Sequence, residues 1–268
     1  MIRFDKMHKW NPEAYERSSS EHKKWAEEAI SKIRINGNER VLDIGCGDGK
    51  ITAYIASLVP KGSVVGIDNS AEMINFAQSK FPQSNWQNLS FQYGDATNLR
   101  YEDEFDLVVS FACLHWILDQ IPVLRGISQS LKFKGKLLVQ FGGKGNASEV
   151  LKTVDRKISE DKWARYFKDF TFPYGFFGVE EYKKWLGEVG LTAIRVELIP
   201  KDMVQSGIEG LACWIESTWL PYIVRIPNGL QHDFISEVAE DYVSTHPLDS
   251  EGQVHVKMVR LEVEAEKT

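Results

Sequence analysis

The chain has 268 residues, of which 43% are hydrophobic and 26% are charged. That length is enough for one large α/β domain, or for one domain with a sizeable insertion. The formal net charge is -6, which argues against a nucleic-acid partner because proteins that bind one usually present a basic face. The chain has no run of about 18 apolar residues that could span a membrane, and its three cysteines lack metal-site spacing. We therefore expect a cytoplasmic protein, a monomer or weak homodimer, with no nucleic-acid, membrane or metal partner.

Strands and helices alternate along much of the chain. Short apolar runs predict the strands, and apolar residues at helical spacing predict the helices. In chain order, we predict a helix over 20–33, a strand over 40–44, a helix over 50–59, a strand over 63–67, a helix over 71–80, strands over 89–93 and 105–110, a helix over 121–131, a strand over 135–141, a helix over 180–189 and strands over 192–199 and 253–264. This alternation predicts an α/β fold with a mostly parallel seven-stranded sheet and helices on both of its faces.

Two segments, 144–178 and 200–247, interrupt the alternation. Their aromatic side chains include Phe170, Phe172, Tyr174, Phe176, Phe177, Trp214, Trp219 and Tyr222. Open α/β sheets bind ligands at the carboxyl ends of their strands, so we expect these segments to form a helical, aromatic-rich cap there. The alternative is that they are ordinary packing helices. Within a single domain, residues 179–199 and 248–268 would then complete a sheet whose ligand-binding core is 36–142.

The strongest local signal is the segment 41–49, which reads Val-Leu-Asp-Ile-Gly-Cys-Gly-Asp-Gly. An apolar strand runs straight into a glycine loop, and a helix follows. Glycines allow a sharp turn and let the backbone approach a ligand without a side-chain clash. The spacing is Gly-x-Gly-x-Gly, with Gly45, Cys46 and Gly47 in the loop, and it differs from the Gly-x-Gly-x-x-Gly of pyrophosphate binders. Asp43, at the end of the strand, would orient the loop or receive an ammonium group.

Acidic residues also follow the next two predicted strands. Asp68 ends the second strand, 19 residues after Gly49, where a carboxylate suits a bidentate bond to ribose hydroxyls. Asp95 and Ala96 follow the third strand, where a carboxylate and an adjacent backbone amide can bind the edge of an adenine. The three features in this strand-end order predict a site for an adenosyl cofactor.

These residues resemble the class I S-adenosylmethionine-dependent methyltransferases, a family with a Rossmann-like sheet. Trans-aconitate methyltransferase is similar at the segments 10–15, 66–74, 114–116 and 247–253. Insect juvenile hormone acid methyltransferase is similar at 43–49 and 113–120. Both of these relatives methylate carboxylates of small acids.

The resemblance implies that S-adenosylmethionine is the cofactor and that an N-terminal lid segment, 1–35, closes over it. Gly45 and Gly47 would pass close to the methionine part, with Asp43 near its amino group. Asp68 would hold the ribose, Asn69 and Met73 would flank the adenine, and Asp95 and Ala96 would meet its edge. Ser110 and Phe111 would lie beside the sulfonium. The cofactor-binding residues implied in this way are Tyr15, Asp43, Gly45, Cys46, Gly47, Asp68, Asn69, Met73, Asp95, Ala96, Ser110 and Phe111.

The resemblance also implies how a small-molecule acceptor is held. Related carboxyl methyltransferases use a Gln or Arg on the N-terminal helix and a Trp after the fourth strand, and this chain has His22 and Trp116 at those positions. We predict that both donate hydrogen bonds to a carboxylate, which is ionised at neutral pH and needs no general base. The product would be a methyl ester.

Three other functions remain open at this point. A small-molecule N- or C-methyltransferase would need a base to remove a proton, for which His22 or His115 could serve. An RNA methyltransferase acting on base amines would want an Asn/Asp-Pro-Pro-aromatic motif after the fourth strand, unlike the Ser-Phe-Ala-Cys at 110–113. The third is a non-catalytic module that only binds the cofactor.

Overall fold

The computed structural model describes residues 20–268, and its elements alternate between helix and strand. The strands are β1 Arg40–Ile44, β2 Ser63–Asp68, β3 Leu89–Tyr93, β4 Phe105–Phe111, β5 Leu131–Gly142, β6 Leu191–Gln205 and β7 Val254–Lys267. The helices are α1 Ser20–Ser31, α2 Lys50–Leu58, α3 Ala71–Lys80, α4 Gln120–Ser130, α5 Ser148–Ile158, α6 Asp161–Ala164, α7 Val179–Glu188, α8 Gly207–Thr218, α9 Leu220–Ile223 and α10 Asn228–Thr245.

The strands form one seven-stranded sheet in the order β3-β2-β1-β4-β5-β7-β6. The pairs from β3 through to β5 are parallel, and β7 is antiparallel to β5. This confirms the predicted α/β fold with a mostly parallel sheet. The chain order of the strands reverses between β1 and β4, and ligands bind at such a reversal in open α/β sheets.

The central strands are buried on both faces, so each alternates between two hydrophobic cores. Val41 of β1 lies in one core with residues of α1, α2 and α3. Leu42 lies in the other core with residues of α4 and α7. Helices therefore cover both faces, as the apolar runs of the sequence predict for parallel strands.

The strand predicted over 192–199 is longer in the structure, where β6 runs from Leu191 to Gln205 and includes Pro200. Proline lacks a backbone N–H and so cannot donate to a neighbouring strand. β6 is the last strand in the sheet order, and an edge strand tolerates proline because one side of its backbone pairs with no neighbour. The sequence pattern alone did not reveal that β6 is an edge strand.

The chain divides into two compact units. The first comprises the described residues up to Lys144 together with Tyr174–Ile199 and Arg260–Thr268, and the second comprises Gly145–Pro173 and Pro200–Val259. Within residues 20–268, no helix is long and apolar enough to cross a bilayer.

The second unit has an aromatic core of its own. The ring of Trp163 lies 5.1 Å from that of Phe234, and the ring of Phe170 lies 4.6 Å from that of Tyr222. The indole N–H of Trp163 donates to Glu237 at 2.9 Å. These contacts pack α6 against α10 and Phe170 against α9, so part of the aromatic content of the segments 144–178 and 200–247 serves packing.

Candidate active site

The glycine loop after β1 is held against the end of β2. Gly45 and Cys46 both donate their backbone N–H to the carbonyl of Ile67, at 2.8 and 2.9 Å. Gly45 has a φ of +74°, a backbone conformation that suits glycine. A Cβ added at Gly45 would lie 2.5 Å from the Cβ of Cys113. The loop therefore passes the segment after β4 too closely for any side chain at this position.

Asp68 holds the same loop through its side chain. One carboxylate oxygen accepts from the N–H of Gly47 at 3.0 Å, and the other accepts from the N–H of Ser70 at 2.9 Å. Burial raises the pKa of this carboxyl, although these backbone donors act against the rise. The following Asn69 is exposed, whereas Met73 is buried in the first turn of α3.

Asp43 is buried at the end of β1, where the hydroxyl of Thr52 donates to it at 2.7 Å. Burial raises the pKa of Asp43 to about 7; the hydrogen bond from Thr52 opposes this rise, and the negative charge of Asp68 adds to it. An ammonium group bound nearby would favour the ionised form. The electrostatics of Asp43 thus suit the predicted role of receiving a cation.

Asp95 lies two residues beyond Tyr93, which is opposite Asp68 in the β2–β3 pairing. One of its carboxylate oxygens accepts from both the N–H and the hydroxyl of Thr97, each at 2.8 Å, and so begins a short 3-10 turn that includes Ala96. Asp95 is exposed. The structure therefore brings Asp68 and Asp95 to the same edge of the sheet.

Ser110 and Phe111 end β4 next to the glycine loop. The buried hydroxyl of Ser110 donates to the carbonyl of Ile44 at 2.7 Å, and Phe111 is also buried. The hydroxyl of Ser110 therefore ties β4 to β1 at the residue before the loop begins.

His22 lies in the first turns of α1, with its ring 5.7 Å from that of Trp25 in an edge-on arrangement. Among residues 20–268, its buried Nδ1 has no hydrogen-bond partner. Burial lowers the pKa of His22 to about 3, and the positive charges of Arg260 and Lys50 act in the same direction. The imidazole is therefore uncharged at neutral pH.

His115 and Trp116 lie in a short turn after β4. The backbone N–H of Gly142 donates to Nδ1 of His115 at 3.3 Å, so in the neutral ring the hydrogen lies on Nε2. Burial holds the pKa of His115 well below its usual range, and the charge of Arg260 adds to this effect. The ring of Trp116 packs edge-on against Tyr174 at 4.7 Å.

The sequence did not single out Arg260 as a site residue, although its charge acts on both His22 and His115. A signal was present, since Arg260 stands between Val259 and Leu261, where the alternation of apolar residues along the strand changes phase. The predicted contact Tyr15 lies outside the described residues.

Residues 35–187, more than half of the chain, match the family model described as a methyltransferase domain. The chain belongs to this methyltransferase family. Within the described part of this methyltransferase, no group of three or more His, Cys, Asp or Glu side chains could hold a metal ion.

Named relatives cover nearly all of this methyltransferase. It is 24% identical to trans-aconitate 2-methyltransferase of Variovorax paradoxus over 96% of this chain and 98% of the relative. It is 27% identical to juvenile hormone acid O-methyltransferase of Drosophila melanogaster over 84% of this chain and 78% of the relative. Both similarities confirm the resemblance predicted from the sequence motifs.

A solved structure with a similar fold is an N-methyltransferase of Haemonchus contortus in complex with phosphomonomethylethanolamine and S-adenosylhomocysteine. The TM-score is 0.62 at 19% identity, over 96% of this chain and 56% of that one. This likeness confirms the Rossmann-like α/β fold.

Proposed function

We propose that this methyltransferase transfers a methyl group from S-adenosylmethionine to a carboxylate oxygen of a small acid and so forms a methyl ester. The observation that carries this proposal is the state of the two candidate bases. His22 has a pKa near 3, and Nδ1 of His115 already accepts the N–H of Gly142. A group with so low a pKa is a poor base for an amine or phenol, whereas a carboxylate is ionised without help.

The residues at the edge of the sheet fit the proposed cofactor. Each carboxylate oxygen of Asp68 accepts one backbone N–H, and a carboxylate has about four lone-pair sites, so capacity remains for ribose hydroxyls. Asp43 would receive the amino group, and Asp95 with Ala96 would bind the adenine edge. The absence of a side chain at Gly45 lets the loop lie against Cys113, and the loop backbone would contact the methionine part. When bound, S-adenosylmethionine supplies a methyl group that its sulfonium has already activated.

The remaining task of the protein is to position the acceptor and exclude water. His22, whose buried Nδ1 has no hydrogen-bond partner among residues 20–268, and the indole N–H of Trp116 would fix the reacting carboxylate. The Nε2–H of His115 is a third neutral donor. Alignment of this kind contributes roughly 7–11 kcal/mol to lowering a barrier. Removing water from the carboxylate strengthens its attack, provided that a few donors hold it.

The test uses cofactor with a labelled methyl group, offered with panels of small carboxylic acids, amines, phenols and RNA. We expect label to enter the acids and to be released as methanol by mild alkali, since esters are labile and N- or C-methyl groups are not. An alkali-stable methyl product would contradict the proposal. Asp68→Ala is the control variant, and we expect it to lose cofactor affinity and therefore all transfer.

A further inference from the structure

A buried glutamine at the start of α4 holds the turn that carries His115 and Trp116. The side-chain amide of Gln120 donates to the carbonyl of Leu114 at 2.9 Å and also to the carbonyl of Ile117. These two carbonyls belong to the residues on either side of His115 and Trp116. Only 1% of Gln120 is exposed, so one amide group fixes both ends of the turn from the protein interior.

The amide of Gln120 is itself held by a tyrosine. The hydroxyl of Tyr182 in α7 donates to Oε1 of Gln120 at 2.8 Å, and Tyr182 is fully buried. The three hydrogen bonds agree on one orientation of the amide, since its N–H groups face carbonyl oxygens and its oxygen faces a hydroxyl donor. Burial raises the pKa of Tyr182, so its hydroxyl keeps the proton that it donates.

The segment before α7 holds the middle of the same turn. The backbone N–H of Gly175 donates to the carbonyl of His115 at 2.8 Å. A Cβ added at Gly175 would lie 2.3 Å from a ring carbon of Phe177 and 3.3 Å from the carbonyl oxygen of Ile117. The carbonyls of Leu114, His115 and Ile117 thus each accept a hydrogen bond from outside the turn, and together these bonds fix its backbone.

The placement of this backbone bears on methyl transfer because the reaction depends on alignment. The acceptor oxygen, the methyl carbon and the sulfur must lie in line, and a displacement of about 1 Å can slow a reaction roughly 100-fold. In the proposed function the indole N–H of Trp116 donates to the reacting carboxylate. The ring of Trp116 packs edge-on against Tyr174 at 4.7 Å. A shift of the turn would therefore move the donor and the carboxylate that it holds.

We propose that Gln120 and Tyr182 form a positioning pair, which sets the turn 114–117 so that Trp116 aligns the acceptor with the cofactor. This inference rests on the proposed carboxylate methylation. Neither member of the pair contacts the acceptor, and both act through the backbone of the turn. The pair governs the rate of the transfer step, whereas binding of the cofactor at the glycine loop is independent of it.

The experiment is a double-mutant cycle between Gln120 and Trp116, with an acid that the wild-type enzyme esterifies. Gln120→Met keeps the length of the side chain but removes its amide, and Trp116→Phe removes the indole N–H. We expect Gln120→Met to lower kcat by about 10- to 100-fold, with the Kd for S-adenosylhomocysteine within about threefold of wild type. In a protein that already carries Trp116→Phe, the same change should lower kcat by no more than about threefold, because the donor that Gln120 positions is gone.

Tyr182→Phe is a milder second variant, since it removes one hydroxyl and leaves Gln120 in place. We expect it to lower kcat by about 3- to 10-fold, the effect of one hydrogen bond, and by less when Trp116→Phe is present. Tyr242→Phe is the matched control. Tyr242 is also buried, and its hydroxyl donates to the carbonyl of His255 at 2.9 Å within the second unit. This control should lower the melting temperature without changing kcat.

Equal factors with and without Trp116→Phe would overturn the inference, because the pair would then act on another part of the protein. A lower melting temperature with unchanged kcat in Gln120→Met would give the pair a purely structural role and would overturn it as well. If Gln120→Met does not fold, the cycle between Tyr182→Phe and Trp116→Phe decides. Absence of any ester from any acid with the wild-type enzyme would instead contradict the proposed function.

Discussion

His22 is a titratable residue whose ionisation is coupled to folding. Its pKa of about 3 in the folded chain lies below the ordinary value of 6.5, so the unfolded chain binds the proton more tightly. The stability that His22 contributes is therefore full above pH 6.5 and is lost as the pH falls towards 3. His115 acts in the same direction.

We predict that His22→Gln reduces this loss of stability in acid. Between pH 7 and pH 5, the free energy of unfolding of the variant should rise by about 2 kcal/mol relative to wild type. Urea unfolding at both pH values measures the difference. The comparison with wild type is needed because Asp43 has a pKa of about 7 in the folded chain. Its protonation therefore stabilises both proteins as the pH falls over the same interval. A constant difference between the two proteins at both pH values would contradict the neutral, buried His22.

The positions of Asp43, Gly45 and Asp68 in the fold could be predicted because each stands at or just after a strand end that the sequence marks clearly. An apolar run followed by Gly45 or Asp68 is visible in the sequence alone. The residues that lie together around His115 were harder to predict. The proximity of Arg260 to His115 depends on the antiparallel register that places Arg260 opposite Gly142, and no local pattern encodes that register.

At the scale of elements, β1 and β4 were the easiest strands to predict, since burial on both faces makes them short and largely apolar runs. β1 and β3 have the predicted bounds, and β2 and β4 each extend one residue further. The ends of β5 and β6 differed more. In β5 the chain is already paired with β4 at Leu131, before a register shift between Phe105 and Leu107. Such irregular pairing has no signature in hydrophobic periodicity.

The loop between β1 and α2 gives a prediction with an internal control. Gly45→Ala introduces a left-handed alanine and an overlap with Cys113, whereas Gly190→Ala introduces an alanine at a similar φ, +76°, with nothing within 4 Å. Each change should lower the free energy of unfolding by roughly 1–2 kcal/mol, because alanine is strained in the left-handed backbone conformation. We expect only Gly45→Ala to weaken binding of S-adenosylhomocysteine, by about tenfold or more. A displacement of the loop that costs about 1.4 kcal/mol of binding free energy is enough for a tenfold loss. Calorimetry that finds equal affinities in the two variants would show that the close packing at Gly45 is not needed for the cofactor.

At the scale of the whole molecule, the stability of the first unit depends on a buried carboxylate that joins four of its elements. The side chain of Glu262 in β7 is fully buried and accepts from Lys32 of α1, Gln140 of β5 and Arg195 of β6. Burial alone would raise the pKa of Glu262, but the donors Gln140, Arg195 and Lys32 outweigh burial and hold the pKa below its ordinary value. Its contribution to stability is therefore present above the unfolded pKa and is lost as the pH falls below it.

We predict that Glu262→Gln, which keeps the shape and removes the charge, lowers the free energy of unfolding by about 3 kcal/mol, because it takes the fully buried anion away from two partly buried cations, Lys32 and Arg195. Chemical denaturation at neutral pH measures this loss. Glu104→Gln, which breaks an exposed ion pair with Arg40, is the matched surface variant and should cost no more than about 1 kcal/mol. Raising the salt concentration should leave the difference between Glu262→Gln and wild type nearly unchanged, since buried pairs are screened little. If the two variants lose equal stability, the four elements are held together by apolar packing alone, and the carboxylate adds nothing to the fold.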